Sequence, residues 1–148
     1  MRVCVDTTIF LDVLNDEFRS FQDKLYVALK RKEILVAPLM VFAELMPQFN
    51  GDSNLLKDFL EEHKINLESL CVESATTAAQ AWIRYLKRKT KIKCPHCGKK
   101  LDRKEHFLSD FYIGGFASVK CNAILTRDRG IYKKYFPSLA GYENCLKV

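Results

Sequence analysis

Apolar positions in this 148-residue chain alternate between short unbroken runs and longer stretches with helical spacing. Residues 3–5 form a wholly apolar run that stops at Asp6, the look of a parallel strand buried on both faces. Thr7 and Thr8 then lead into Ile9, Phe10, Leu11, Val13 and Leu14, which predicts a short helix with a threonine as N-cap. Phe21, Leu25, Ala28 and Leu29 recur at helical spacing and predict a second helix over 18–32. A second apolar strand is expected at 34–37. Pro38 suits the first turn of the next helix, whose apolar residues Leu39, Phe42, Ala43, Leu45 and Met46 surround the charge of Glu44.

A polar turn at 50–53 precedes a helix expected over 54–63, and 67–72 reads as a third strand. Residues 74–88, with Ala78, Ala81, Trp82 and Leu86, predict a long helix, and 109–119 another with Asp110 in its first turn. A strand at 123–126 ends just before Asp128. A short helix is expected at 131–136 and a last strand at 146–148. No repeat or low-complexity run interrupts the series. Strands alternating with helices predict an α/β domain with a mostly parallel sheet covered on both faces.

At this length, with 48% apolar residues, the chain is the size of a single domain, residues 1–148. Its apolar runs stop well short of the ~20 residues that cross a bilayer. Met1 to Asp6 contains no long apolar core of the signal-peptide kind, so a soluble, cytoplasmic protein is expected. Cys4, Cys71, Cys121 and Cys145 lie singly in apolar or strand-like segments and read as buried free thiols. The net charge of +6 is unevenly placed: ten basic residues and one acid lie between Arg84 and Lys104, leaving the remainder net acidic. An acidic body with one basic strip is the electrostatic footprint of a polyanion binder, although a solvated lysine-rich surface has the same composition.

Two carboxylates, Asp6 and Asp128, follow strands directly, and two, Glu44 and Asp110, lie near helix starts. Ligands of open α/β sheets bind outside the carboxyl ends of the strands, where strand order reverses. Four acids converging there would repel one another unless a cation neutralised them, and hard oxygen donors suit Mg²⁺ or Mn²⁺. A metal so held can activate water against a phosphodiester. Any one of these acids could be a loop residue or a helix cap. It is their common placement at strand–helix joints that selects them.

Residues 5–11 (Val-Asp-Thr-Thr-Ile-Phe-Leu), the Pro38 helix with Ala43-Glu44-Leu45, and Ser109-Asp110 leading to Ile-Leu-Thr-Arg-Asp at 124–128 together resemble the PIN-domain family. That family includes ribonuclease toxins of prokaryotic toxin–antitoxin pairs and RNA-processing nucleases. The resemblance runs end to end. It implies a three-layer Rossmann-like fold with five strands in the order 3-2-1-4-5, and a Mg²⁺- or Mn²⁺-dependent endoribonuclease with Asp6, Glu44, Asp110 and Asp128 as its metal-binding and catalytic quartet. Thr7 and Thr126 match the family's small polar positions near the metal. Homodimers and an antitoxin-like protein partner are implied as well. A departure from compact toxin-like members is the longer, basic, cysteine-bearing insertion at 89–107. Within and beside it, Lys87, Arg88, Lys89, Lys91, Lys93, Lys99 and Lys100 are the expected RNA contacts.

Cys94-Pro95-His96-Cys97-Gly98 resembles one knuckle of a zinc ribbon, and structural zinc needs four ligands. His106, with His96 or another protomer's thiols, would complete the set. A reduced loop, a local disulfide and an empty knuckle are the alternatives. Gly114-Gly115 lacks the strand-to-helix context of a phosphate loop and reads as close helix packing. His63 reads as a helix-end residue, and Trp82, Tyr85 and Tyr112 as core aromatics rather than base-stacking platforms. Receiver-type and haloacid-dehalogenase-like domains need a second acid beside or two residues after Asp6, where this chain has Thr7 and Thr8. The surviving alternative to a nuclease is a non-catalytic module of the same fold, in which the basic segment docks RNA.

Overall fold

A computed structural model describes residues 1–89, 94–99 and 108–146. Its centre is a five-stranded, all-parallel sheet. The strands are β1 (Arg2–Val5), β2 (Ile34–Pro38), β3 (Ile65–Glu68), β4 (Ala123–Leu125) and β5 (Ala140–Gly141), in the order β3-β2-β1-β4-β5. The helices are α1 (Thr7–Leu14), α2 (Arg19–Lys30), α3 (Leu39–Leu45), α4 (Ser53–Glu62), α5 (Val72–Lys89), α6 (Leu108–Lys120), α7 (Arg129–Tyr135) and α8 (Tyr142–Cys145). They cover both faces of the sheet, as the alternation of strands and helices predicts.

β1 is the innermost strand. Val3 pairs with Leu35 of β2 on one side and Ala123 of β4 on the other. Val3, Cys4 and Val5 are fully buried, which explains an apolar run with no polar alternation. From β1 the chain builds outward in one direction through β2 and β3 and in the other through β4 and β5. The carboxyl ends of β1 and β4 therefore flank the point where strand order reverses, the natural ligand crevice of such sheets.

Five local expectations are corrected. The third strand is Ile65–Glu68 rather than 67–72, because Leu67 and Glu68 continue the pairing with Ala37 and Pro38 while Val72 already opens α5. Among the described residues the last strand is Ala140–Gly141, and the one expected at 146–148 does not begin at Leu146. Leu146 is the C-cap of α8, and residues 147–148 lie outside the described residues. The N-cap of α1 is Asp6, not a threonine, and its side chain accepts a hydrogen bond from the Thr7 amide. Pro38 ends β2 in extended conformation and caps α3 from outside its first turn. All six cysteines are free, but only Cys4 is fully buried; Cys71, Cys121 and Cys145 are half-buried.

The long α5 packs against α6, and two glycines set how closely. A Cβ on Gly115 would stand 2.5 Å from the Ser74 carbonyl oxygen and 2.7 Å from Ala78 Cβ, and one on Gly114 would stand 2.3 Å from the Phe136 ring. Trp82 and Tyr85 of α5 pack on Phe111 of α6 with ring centroids 5.1 and 5.4 Å apart, so these aromatics belong to the core. His63 is the C-cap of α4. The close approach at Gly115 is to backbone, which cannot rotate away. Gly115→Ala should destabilise the chain by roughly 1–3 kcal/mol. Chemical denaturation read by circular dichroism would measure it, and a neutral or stabilising result would show that the two helices are free to separate.

Candidate active site

Asp6 follows β1 directly, and its amide still bonds to the Leu125 carbonyl at 3.0 Å, extending the β1–β4 pairing by one residue. The carboxylate is buried, at 3% exposure, so it requires donors. Oδ1 accepts from the Thr7 amide at 2.9 Å and from the Tyr132 hydroxyl at 3.3 Å. Oδ2 accepts from Thr8 Oγ1 at 2.9 Å and from Thr126 Oγ1 at 2.6 Å. The donors come from α1, from the residue after β4 and from α7, three segments that meet only because β1 and β4 are neighbours.

Glu44, in the last turn of α3, is half-buried and accepts a hydrogen bond from Thr7 Oγ1. Asp110 is in the first turn of α6. Burial pushes the Asp6 carboxyl up to about 6, against the opposing hydrogen bonds of Thr126 and Thr8, and the charges of Asp110 and Glu44 push it the same way. These three acids thus share one electrostatic neighbourhood. Asp128 is the N-cap residue of α7, and its amide donates to Thr126 Oγ1 at 3.1 Å, so it joins the group through the threonine that also holds Asp6. Burial, followed by the charges of Asp6 and Asp110, holds the Tyr132 phenol well above its ordinary range, leaving it a neutral donor at any ordinary pH.

Among the described residues, no group of three or more His, Cys, Asp and Glu side chains is drawn closely enough together to hold a metal ion unaided. The donor set still fits a hard divalent cation in kind. It is made of carboxylate and hydroxyl oxygens, its central carboxylate is made less acidic by burial and by the charges of Asp110 and Glu44, and Mg²⁺ characteristically keeps several waters between itself and its protein ligands.

Thr8 and Tyr132 join this cluster without having been singled out by the sequence pattern. Thr8 sits two residues after Asp6 and could be found from that spacing, whereas Tyr132 reads only as an apolar position of α7. A further unforeseen contact braces the same end of the sheet. Asp12 of α1 is buried, with Arg127 Nε 3.4 Å from its Oδ1, and the Arg127 guanidinium lies over the Phe18 ring at 4.1 Å. A cavity of about 480 Å³ opens beside the cluster, lined by Thr126, Arg129, Tyr132, Lys133 and Glu143 among others. Of the expected RNA contacts, Lys87, Arg88 and Lys89 form the last turn of α5, and Lys99 is exposed in the turn after Cys97. Lys91, Lys93, Lys100 and His106 lie outside the described residues, as does most of the 89–107 segment.

No protein-family model matches the sequence, and no curated protein matches it. Among solved structures, the chain is similar to a chain of VapBC2 from Rickettsia felis, bound in that crystal to a DNA fragment from their promoter. The match has a TM-score of 0.66 and covers 95% of this chain and 96% of that one, at 14% identity. The protein has the PIN-domain fold. At that identity the likeness carries the architecture of the fold, and the chemistry rests on the residues placed on it.

The raised Asp6 carboxyl has a measurable consequence. A carboxyl that binds its proton more tightly when folded stabilises the fold at low pH, and that contribution disappears as pH rises through the folded value. With chelator present, stability relative to Asp6→Asn should therefore fall by up to about 3 kcal/mol between about pH 3, below the unfolded value of 3.8, and about pH 7, above the folded value of about 6. Thermal unfolding of both proteins across that range would show it. Parallel profiles would mean that Asp6 titrates as it does in the unfolded chain.

Proposed function

We propose that this chain is a divalent-metal-dependent endoribonuclease, with Asp6, Glu44, Asp110 and Asp128 holding Mg²⁺ or Mn²⁺ at the carboxyl ends of β1 and β4. The observation that carries the reading is the buried Asp6 carboxylate, held by hydroxyls and pushed to about 6 by burial and by the charges of Asp110 and Glu44. A purely structural buried carboxylate is normally matched by a cation of the protein. Here the neighbours that shift Asp6 are other acids.

A divalent cation bound there supplies Lewis acidity, polarising a phosphodiester and making water a better nucleophile. Thr8, Thr126 and Tyr132 fix the orientation of Asp6, and Thr7 does the same for Glu44. Because Tyr132 stays protonated, it can only donate to Asp6, which leaves the carboxylate its acceptor role. Lys133, on the adjoining cavity, supplies positive charge where a phosphate backbone would lie, beside Arg129, which is paired with Glu143. The basic residues Lys87, Arg88, Lys89 and Lys99 extend that attraction, together with Lys91, Lys93 and Lys100. RNA is the proposed substrate. A second copy of the chain and an antitoxin-like protein are the proposed partners, in line with a neighbour that is itself a complex. No described helix is long and apolar enough to cross a membrane, and the proposed setting is the cytoplasm.

The separation of the carboxylates favours one rival, a non-catalytic RNA-docking module of the same fold. Cleavage of defined structured RNAs with and without Mn²⁺ decides between them. Asp6→Asn, Glu44→Gln, Asp110→Asn and Asp128→Asn should each lower metal-dependent cleavage by about a hundredfold or more while preserving the fold. Cleavage undiminished in the Asp6 and Asp128 variants would refute the site, and RNA binding without any cleavage would establish the docking module.

The basic residues make a separate prediction. RNA affinity should fall steeply with salt, and replacing Lys87, Arg88, Lys89 and Lys99 together by glutamine should flatten the logarithmic salt slope by about one for each phosphate no longer neutralised. A slope unchanged by those replacements would return them to ordinary surface.

A further inference from the structure

Outside the carboxylate cluster, one group of metal-seeking side chains has no role in the reading above. Cys94 and Cys97 lie on a tight turn closed by two backbone hydrogen bonds, Cys94 N–H to the Lys99 carbonyl at 2.7 Å and Gly98 N–H to the Cys94 carbonyl at 2.9 Å. Gly98 adopts φ +66°, a left-handed conformation that glycine takes without strain. The backbone amides of Cys97 and His96 and the Cys97 side chain face the Cys94 sulfur. Cys97 is exposed and Cys94 half-buried, so a soft cation can reach both. Amides aimed at sulfur, two thiols on one side of a turn and a left-handed glycine after the second cysteine amount to a preformed two-thiolate clamp.

A clamp of two thiolates is half of a tetrahedral site. The other four cysteines serve the fold. Cys4 is fully buried and in hydrogen-bonding contact with Cys121, Cys71 lies 3.2 Å from Ser74 Oγ, and Cys145 is directed at the Gly141 carbonyl. His63 Nδ1 is 2.8 Å from the Phe59 carbonyl, on another part of the molecule. No third ligand joins the pair among the described residues. An identical clamp on a second copy supplies the missing two thiolates by simple two-fold symmetry. A four-thiolate zinc centre carries a net charge of −2, and the clamp lies in the most basic stretch of the sequence, so its surroundings favour it electrostatically.

We propose that Cys94 and Cys97 form a half-site for zinc, completed by the same pair from a second copy, so that the metal joins two chains through their basic segments. Thiolates prefer zinc to Mg²⁺, and carboxylates on a polar site have the opposite preference, so this centre is chemically separate from the proposed catalytic one.

Full-length protein purified without chelator and without added zinc would be analysed for metal and sized in solution. The expected result is about 0.5 zinc per chain in a dimer. Cobalt replacing the zinc should give the intense thiolate charge-transfer bands of a four-sulfur site. Cys94→Ser/Cys97→Ser should lose the metal and the zinc-dependent part of the dimerisation, with far-ultraviolet circular dichroism unchanged. Should that variant fail to fold, chelation of the wild-type protein followed by sizing and zinc re-addition makes the same test. One zinc per monomer, abolished by His106→Ala, would overturn the shared site. Absence of zinc, with Cys94 and Cys97 freely alkylated under native conditions, would overturn the centre altogether.

Discussion

A carboxylate on the central strand of a parallel sheet, cut off from water, must be supplied with donors or expelled, and the arrangement around Asp6 is the consequence. Its four hydrogen bonds tie the first turn of α1, the end of β4 and the middle of α7 to one point. Thr126 is especially informative. Its hydroxyl donates to Asp6 at 2.6 Å and accepts from the Asp128 amide at 3.1 Å, so the end of β4 turns in response to the carboxylate on β1. The ion pair of buried Asp12 with half-buried Arg127 braces the same joint.

The hydrogen bonds and the charges around Asp6 work against each other. Thr8 and Thr126 favour the ionised form, while burial, Asp110 and Glu44 favour the protonated one, and the second set prevails. A site of this kind is less stable ionised and empty than it would be with a neutral residue at its centre, which is the usual signature of preorganisation for a ligand of opposite charge. Helix packing maintains the opposition. Gly114 and Gly115 let α6 press against Phe136 and the Ser74–Ala78 backbone, and Asp110, one turn earlier on α6, is carried in with it. A wider separation of α5 and α6 would move Asp110 out and ease the repulsion on Asp6.

What the sequence reveals about this site follows from how local each determinant is. Asp6 is legible because an apolar run stops at it, and Glu44 because apolar residues surround it. Strand order follows from the family resemblance and is found as expected. The bond from Thr126 to Asp6 is less legible, since it spans 120 residues and depends on β1 and β4 being neighbours. Tyr132 satisfies the apolar pattern of α7 while its hydroxyl serves the site, and periodicity cannot separate those roles. β5 is only two residues long, Ala140 and Gly141, too short to carry any pattern. The third strand lies earlier than its apolar pattern suggests because Leu70 and Cys71 are apolar in the connection to α5, where Leu70 packs against the core without pairing in the sheet.

The two sets of metal-seeking side chains also differ in what holds them. The carboxylates are fixed by long-range contacts of the folded sheet, so their geometry is a property of the whole domain. The thiolates are arranged by a turn of six residues whose hydrogen bonds are all local. Such a turn forms with little help from the core. In sequence the turn lies between the C-terminal end of α5, where Lys87, Arg88 and Lys89 are gathered, and α6, whose first turn bears Asp110. Chain connectivity alone thus anchors the clamp between a cluster of cations and a member of the carboxylate group. Fixing the turn to a second copy would restrict both anchors at once, so a metal far softer than the one proposed for the carboxylates would set how the basic residues approach the proposed polyanion.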